Sequence, residues 1–584
     1  MWIGLASSWN MICGYTGYID FGHTVFVGLG GYTVGILVAR LGILQGAETI
    51  AEQRAINFTT YQALPIAFIF GALFAGLVGW PTLRLKGPYF AIAMLGTYVA
   101  VREVIRADFT DFGFNLTNGG VGISFLAPFA NPNDIFNMML VFAGLIFFIS
   151  FWIYRSQIGK MLQAVREDEV GADMRGINTT GMKIGIFMLA GGFTALIGGL
   201  KAYWDGYIDP TTIFPDDYTI QMIMMVMLGG IGRPWGAVIG AVVFYYGRIN
   251  IWANAGQQQL LITGLALTFV VLYMPSGILG FLDPEDRGLM WFIRHRLLGE
   301  KQEGVGGKED FEFQDIATTP AQPNPVVQDR VHEDKTQRRA LLEGRGVTKD
   351  FGGLRAVDNV DFKIHEGEIV GLLGPNGSGK TTLFNCISGV LPMTAGEVYL
   401  DGDSITGFAS WRINRAGLSR TFQRLRVYDK LTVYANMLLA RKWRGVPPWL
   451  WLWIAPPEVR QKADDLLEFL SIRHVRNNLA HNLSGGQQRL LEIGMTLMSD
   501  PLVVLLDEAT SGVNPALVED IKDDIRRLNR ERGVTFFLVE HNMNFAMDLC
   551  ERLYVLDYGA LIASGEPEEI QNDPQVIEAY FGHD

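Results

Sequence analysis

The stretch with the clearest chemistry is "GPNGSGKTT", residues 374–382. Gly374, Gly379, Lys380 and Thr381 satisfy the spacing G-x-x-x-x-G-K-[ST]. Glycines in such a loop let backbone N–H groups turn inward around phosphates, so Asn376, Gly377, Ser378 and Thr382 join the candidate contacts, with Pro375 as part of the same binding loop. Lys380 can neutralise terminal phosphate oxygens, and the Thr381 hydroxyl can ligate Mg²⁺. A second run, "PLVVLLDE", ends an apolar strand in two carboxylates. Asp507 is placed to hold the Mg²⁺ shell and Glu508 to activate an attacking water. Paired acids could merely cap the next helix, but the glycine loop upstream favours phosphoryl chemistry. Just before this strand, Ser484, Gly485 and Gly486 of "NLSGGQQRLLEIGM" open a helix whose free N–H groups suit a phosphate.

These residues need a scaffold of strands and helices. "DFKIHEGEIVGLLGPNGSGKTTLFNCISG" reads strand, glycine loop, helix, the context that the loop requires. The rest of the chain is different. Long apolar runs dominate up to about Phe281, and the chain reads as soluble protein from about Asp283. We therefore expect a polytopic α-helical membrane domain at 1–282, a flexible charged linker at 283–339, and an α/β domain of the P-loop NTPase kind at 340–584. The net charge of −12 argues against a nucleic-acid binder. Three scattered cysteines exclude a disulfide framework and a thiolate metal site. The eight histidines form no ligand-spaced cluster.

Eight runs are candidate spans: Gly17–Ala39, Leu64–Leu83, Tyr89–Ile105, Ile135–Tyr154, Ile184–Tyr203, Tyr218–Ile231, Pro234–Ile251 and Gln258–Met274. Frequent glycines within them favour close helix packing. The opening "MWIGLASSWNMIC" lacks a signal-peptide pattern and reads as a shortened first helix. Arg155–Lys183 carries five Lys and Arg residues, whereas Trp204–Asp217 carries none and has four aspartates. Positive-inside asymmetry places the first in the cytoplasm and the second outside, which makes the soluble half cytoplasmic. Arg102 and Arg106, beside Glu103 and Asp108, read as a salt-bridged helix end or as a pathway charge. His23 reads as a packed histidine bonded to a backbone carbonyl. Gly119 and Gly120 suit an outer gate or a plain turn. A tryptophan-rich run (Trp443, Trp449, Trp451, Trp453) suits a membrane or partner contact, or an aromatic core.

Between two apolar spans lies "SQIGKMLQAVREDEVGADMRGINTTGMKIGIF". Ile158, Met161, Leu162 and Val165 share one helical face, with Lys160, Gln163, Arg166 and Glu167 elsewhere. A short amphipathic helix followed by Gly176 and a polar turn suits docking into a cleft on a soluble domain; an ordinary charged surface loop is the alternative.

With these motifs together, Leu341–Asp584 resembles the nucleotide-binding domain of ATP-binding cassette (ABC) ATPases. The resemblance implies that Gln423 in "SRTFQ" is the Q-loop residue, serving catalysis and the Mg²⁺ shell. It implies that His541 in "LVEHNM" contacts the γ-phosphate and that Phe351 stacks on adenine. It also implies ATP hydrolysis in a head-to-tail dimer, with Ser484–Gly486 serving ATP on a partner domain; Asn514 stands where the family often has aspartate. The charged segment resembles the coupling loop of ABC importers, with Glu169, Gly171 and Gly176 at or near its positions. "GYTGYIDFGHTVFVGLGGYT", "LTNGGVGIS" and "MLGGIGRPWGAVIGA" resemble LivM-type permeases of branched-chain amino acid importers, and the cassette resembles its LivG-type ATPase partner. The implied protein is a fused half of a transporter in a bacterial inner membrane. Its implied partners are a LivH-type permease, a LivF-type ATPase and a periplasmic binding protein, although a homodimer fits the sequence too. Branched-chain amino acids are the implied substrate, with urea or short amides as alternatives; a homodimeric exporter is the rival class.

Overall fold

A computed structural model describes residues 1–39, 50–85, 87–107, 117, 119–124, 132–249, scattered positions from 258 to 274, 276–282, 338–441, 455–508 and 515–581. The tryptophan-rich run, Asn514, Asp108, nearly all of the linker and much of the last candidate span lie outside these residues. By contacts the chain forms two compact units, one of 1–166 and 180–311, the other of 167–179 and 312–584.

The first unit is helical: α1 (Trp2–Thr16), α2 (Thr24–Ala39), α3 (Ile50–Thr82), α4 (Pro88–Arg106), α5 (Pro132–Arg155), α6 (Gln157–Glu167), α7 (Glu169–Met174), α8 (Thr179–Asp205), α9 (Asp217–Gly229), α10 (Pro234–Gly247) and α11 (Gly277–Leu282), of which α7 belongs to the second unit. Apolar side chains surround α1, so it has no polar face to turn to solvent, and Gly4–Thr16 are all buried. An 18-residue apolar window is 78% buried in α8 but only 17–33% buried in α3, α4 and α5, which makes α8 central and the others peripheral. The peripheral helices turn Leu73, Leu77, Ile92, Phe136 and Leu140 outward, the surface that lipid solvates.

Among the described residues, four helices are long and apolar enough to cross a membrane. The eight-span expectation therefore changes. Gly17–Ala39 is not one helix, because Gly17–His23 is irregular and α2 begins at Thr24. Tyr218–Ile231 and Pro234–Ile251 become α9 and α10, a pair bent by 114° that counts as one broken span or a re-entrant loop. At 1.5 Å per residue, each of these short helices falls short of the ~30 Å hydrocarbon core.

His23 also differs from expectation. It is wholly buried, but Nδ1 meets the Asp20 carboxylate (2.8 Å) and Nε2 meets the Thr194 hydroxyl (2.7 Å). Ser8 bonds Thr194 and donates to the Ala190 carbonyl (2.9 Å), so α1, α8 and the Gly17–His23 segment share one polar knot. Arg102 takes the salt-bridged reading, paired with Asp216 (2.5 Å) and Glu103 (3.4 Å), and Gly119 and Gly120 lie in a 3₁₀ turn. Lys183, counted above among the cytoplasmic charges, is buried in α8, where it donates to the Leu83 carbonyl and the Tyr18 hydroxyl (both 2.9 Å).

The second unit holds two sheets, preceded by a minor pair in the first unit, β1 (Ile123–Ser124) and β2 (Tyr207–Ile208). An antiparallel sheet contains β3 (Ala340–Phe351), β4 (Leu354–His365), β6 (Ala395–Leu400) and β7 (Asp403–Ser404) in the order β4-β3-β6-β7. The other sheet runs β12-β11-β5-β10-β9-β8, with β5 (Ile369–Leu373), β8 (Leu418–Arg420), β9 (Val503–Asp507), β10 (Thr535–Val539), β11 (Arg552–Asp557) and β12 (Ala560–Gly565). All neighbours in it are parallel except β12, an antiparallel edge. Helices α12 (Lys380–Ile387), α13 (Ser410–Ala416), α14 (Val433–Leu439), α15 (Pro457–Phe469), α16 (Gly485–Leu497), α17 (Pro515–Arg532), α18 (Met543–Leu549), α19 (Pro567–Gln571) and α20 (Pro574–Phe581) complete the unit. Every residue of β5, β9 and β10 is buried, as continuous apolar runs require in a covered parallel sheet.

Candidate functional site

The parallel strands end together, and ligands of open α/β sheets bind in the crevice outside those carboxyl ends. From β5 the chain enters Gly374 and reaches α12 at Lys380. Gly379 is left-handed (φ +99°) and a Cβ there would overlap the Ala356 carbonyl oxygen, so only glycine fits. Gly377 is also left-handed (φ +84°) with open space before it, which leaves its backbone accessible. Lys380 is nearly buried, and Nζ donates to the carbonyls of Gly374 (2.7 Å) and Pro375 (2.8 Å). Burial lowers its pKa, while Glu508 and Asp507 oppose that shift.

Asp507 closes β9. Its Oδ2 accepts from Arg420 Nη2 (2.6 Å), and Arg420 Nη1 donates to Asn385 (2.8 Å) and Ser388 (2.9 Å). Asp507 Oδ1 is buried with no protein hydrogen bond. A buried carboxylate oxygen without a donor is costly unless a cation or water takes it. The donor set thus fits a divalent ion with oxygen ligands.

Glu508 sits next in the chain with φ +48°. Its N–H donates to the Val539 carbonyl (2.9 Å), and its own carbonyl accepts from buried Arg489 (2.5 Å). The side chain reaches outward to two partners. Oε2 accepts from Gln423 Nε2 (2.8 Å), and Oε1 lies 2.8 Å from His541 Nε2. Residues just beyond the ends of β8, β9 and β10 thereby converge on the Glu508 carboxylate, Gln423 by a hydrogen bond and His541 at ion-pair distance. Thr381 and Thr382 follow Lys380 in α12, and Phe351 ends β3 with its ring 46% exposed. Ser484 caps α16 through a capping box with Gln487, while the helix start at Ser484 and Gly485 is exposed.

The segment 167–179 packs within the cassette unit. Arg426 Nη1 reaches both Asp168 oxygens (2.7 and 2.8 Å), three residues beyond Gln423. Arg175 donates to the Arg426 carbonyl (2.5 Å) and lies over the Tyr428 ring. Arg415 donates to the carbonyl of left-handed Gly176 (3.0 Å), and the Lys430 N–H points to Glu167 (3.3 Å). Glu169 opens α7, and Gly171 abuts Asp168 too closely for a side chain. Sequence reasoning named Glu169, Gly171 and Gly176 but missed Asp168, Arg415 and Arg426. Opposite charges more than two hundred residues apart leave no local signal.

A phosphate-type loop, an acidic strand end and a helix-capping "LSGGQ" on this sheet define an ABC ATPase, an ATP-binding and ATP-hydrolysing cassette that powers transport. Residues 1–274 match the family described as branched-chain amino acid transport system / permease component. Residues 357–511 match ABC transporter, and residues 560–584 match branched-chain amino acid ATP-binding cassette transporter. The branched-chain amino acid transport ATP-binding protein BraF of Pseudomonas aeruginosa is 38% identical over 42% of this chain and 98% of its own length. LivG of Escherichia coli K12 is 36% identical over 41% of this chain and 98% of its own length. Among solved structures, the ADP conformation of MJ1267, an ATP-binding cassette of an ABC transporter, is 34% identical over 42% of this chain and all of its own (TM-score 0.38). The chain belongs to the branched-chain amino acid ABC transporter family, with a membrane permease and an ATP-binding cassette in one polypeptide.

Proposed function

We propose that this chain is one permease–ATPase half of an importer of branched-chain amino acids in a bacterial inner membrane, with the cassette in the cytoplasm. The observation that carries this reading is that both halves match components of the same transport system. The cassette alone would not decide direction, since a lipopolysaccharide export ATP-binding protein, LptB of Haemophilus influenzae, is 36% identical over 98% of its length. The permease match favours import. A second permease of LivH type, a LivF-type ATPase and a periplasmic binding protein complete the proposed assembly.

In the cassette, loop N–H groups from Asn376 to Thr382 hold the phosphates, and Lys380 exchanges its two carbonyl partners for β and γ oxygens. Phe351 offers its exposed ring to adenine. Mg²⁺, when bound, neutralises charge that develops on the phosphates. Thr381, Gln423 and Asp507 Oδ1 would hold it. Glu508 takes the proton of the attacking water, and His541 fixes the carboxylate and meets the γ-phosphate. Ser484, Gly485 and Gly486 present a helix N-terminus to ATP on a partner cassette. Asp168 couples to this chemistry through Arg426 and Gln423, and Glu169, Gly171 and Gly176 shape the segment that carries it.

The test is uptake of labelled leucine by vesicles holding the whole assembly with ATP inside and binding protein outside. ATP-dependent leucine uptake supports the proposal; brisk urea uptake without leucine uptake would sink the substrate assignment. Transport without any binding protein would overturn the importer class.

A further inference from the structure

The cassette does not end at its last catalytic motif. After β11, which lies beside β5 in the sheet, the chain turns back through β12, α19 and α20. Val576 and Ala579 bury one face of α20 and fix its rotation. That rotation brings Tyr580, half-buried, to the start of the phosphate loop, where its hydroxyl accepts from the Gly374 N–H (2.7 Å). The carbonyl of the same Gly374 accepts from Lys380 (2.7 Å). The β11–β12 turn adds a second tie, from the Gly559 N–H to the Ser378 carbonyl (3.0 Å).

We propose that Tyr580 is a positioning residue for ATP binding, holding the first peptide of the phosphate loop while Lys380 changes partners. When Lys380 turns to phosphate oxygens, the Gly374 carbonyl loses its donor. Gly374 is left-handed (φ +148°), and a Cβ there would overlap the Leu556 carbonyl oxygen, so no side chain of its own can brace it. The tyrosine hydroxyl braces the peptide from the other side. Burial raises the phenol pKa, so the group stays a neutral acceptor throughout the working range. The C-terminal helix, remote in sequence from the loop, thereby sets how well the loop closes on phosphates.

Tyr580→Phe deletes one oxygen and keeps the ring, leaving a buried N–H without its acceptor. Phosphate release is measured against ATP concentration for the full chain in lipid vesicles, beside the thermal midpoint. We expect KM for ATP to rise about tenfold, with kcat within about twofold and at most a small fall in the midpoint from the unpaired N–H. Exposed Glu578 on the same helix is the control, and Glu578→Gln should match the parent in all three. An unchanged KM in Tyr580→Phe overturns the proposal. So does a fall in kcat and thermal midpoint with KM held, which would make Tyr580 a packing residue only.

Discussion

Glu508 occupies a backbone conformation that side chains seldom adopt, and two buried hydrogen bonds hold it there. Such strain costs on the order of 1–3 kcal/mol and persists where the surroundings over-determine it. The result is a carboxylate aimed at Gln423 and His541. Glu508→Gln keeps the shape and removes the base, so ATP hydrolysis should fall at least about a hundredfold while ATP binding survives; paired turnover and nucleotide-retention assays check both halves. Asp173 makes a second prediction. Burial raises its pKa to about 6, opposed by hydrogen bonds from Trp411 and Thr179 and assisted by Glu169. The folded chain therefore holds this proton more tightly than the unfolded chain. The contribution to stability is full below about pH 4 and is lost as pH rises through about 6. Asp173→Asn should raise the thermal midpoint relative to the parent at pH 7.5, and that advantage should narrow at pH 5 and vanish only below about pH 4. Motif residues such as Lys380, Asp507 and Glu508 were legible because their spacing is local. Arg420 and Tyr580 were not, because their partners lie far away in sequence and only the sheet order unites them.

Elements meet in this molecule at points where side chains are absent. A Cβ on Gly30 of α2 would overlap the Ala195 carbonyl of α8, and one on Gly198 would overlap the Val27 carbonyl. Gly30→Ala should therefore push the helices apart and destabilise the bundle by about 1–3 kcal/mol. Gly96→Ala, which meets nothing within 4 Å, should leave the thermal midpoint unchanged or slightly raised. The glycine-rich composition foretold close packing, but which glycines face another backbone depends on helix rotation. The amphipathic face of α6 was legible by its period, and Met161, Leu162 and Val165 are indeed buried. Docking of 167–179 rests on the Arg426–Asp168 pair, whose groups are only 30% and 24% exposed. Arg426→Ala should cut transport about tenfold while ATP turnover changes less, and the exchange Arg426→Asp with Asp168→Arg should restore part of it. Equal loss in the single and exchanged variants would show that the pair itself does not couple.

At the scale of the whole chain, composition divides permease from cassette because lipid and water select different surfaces. Among the described residues, hydropathy counts α9 and α10 as two spans for the same reason. It registers apolar length, and α9 and α10 are apolar because the bundle buries much of their surface, whether or not either crosses a membrane alone. The partition of the chain has a further consequence in time. Asp168 precedes its partner Arg426 by 258 residues, so the ribosome makes the segment long before the groove that receives it. At roughly 5–20 residues per second, that interval is about 13–50 seconds. Throughout it, the charges of Asp168 and Arg175 must stay hydrated beside a bundle already threading into lipid. The segment 167–179 is thus among the earliest parts of the cassette unit to be made and among the last to find its place.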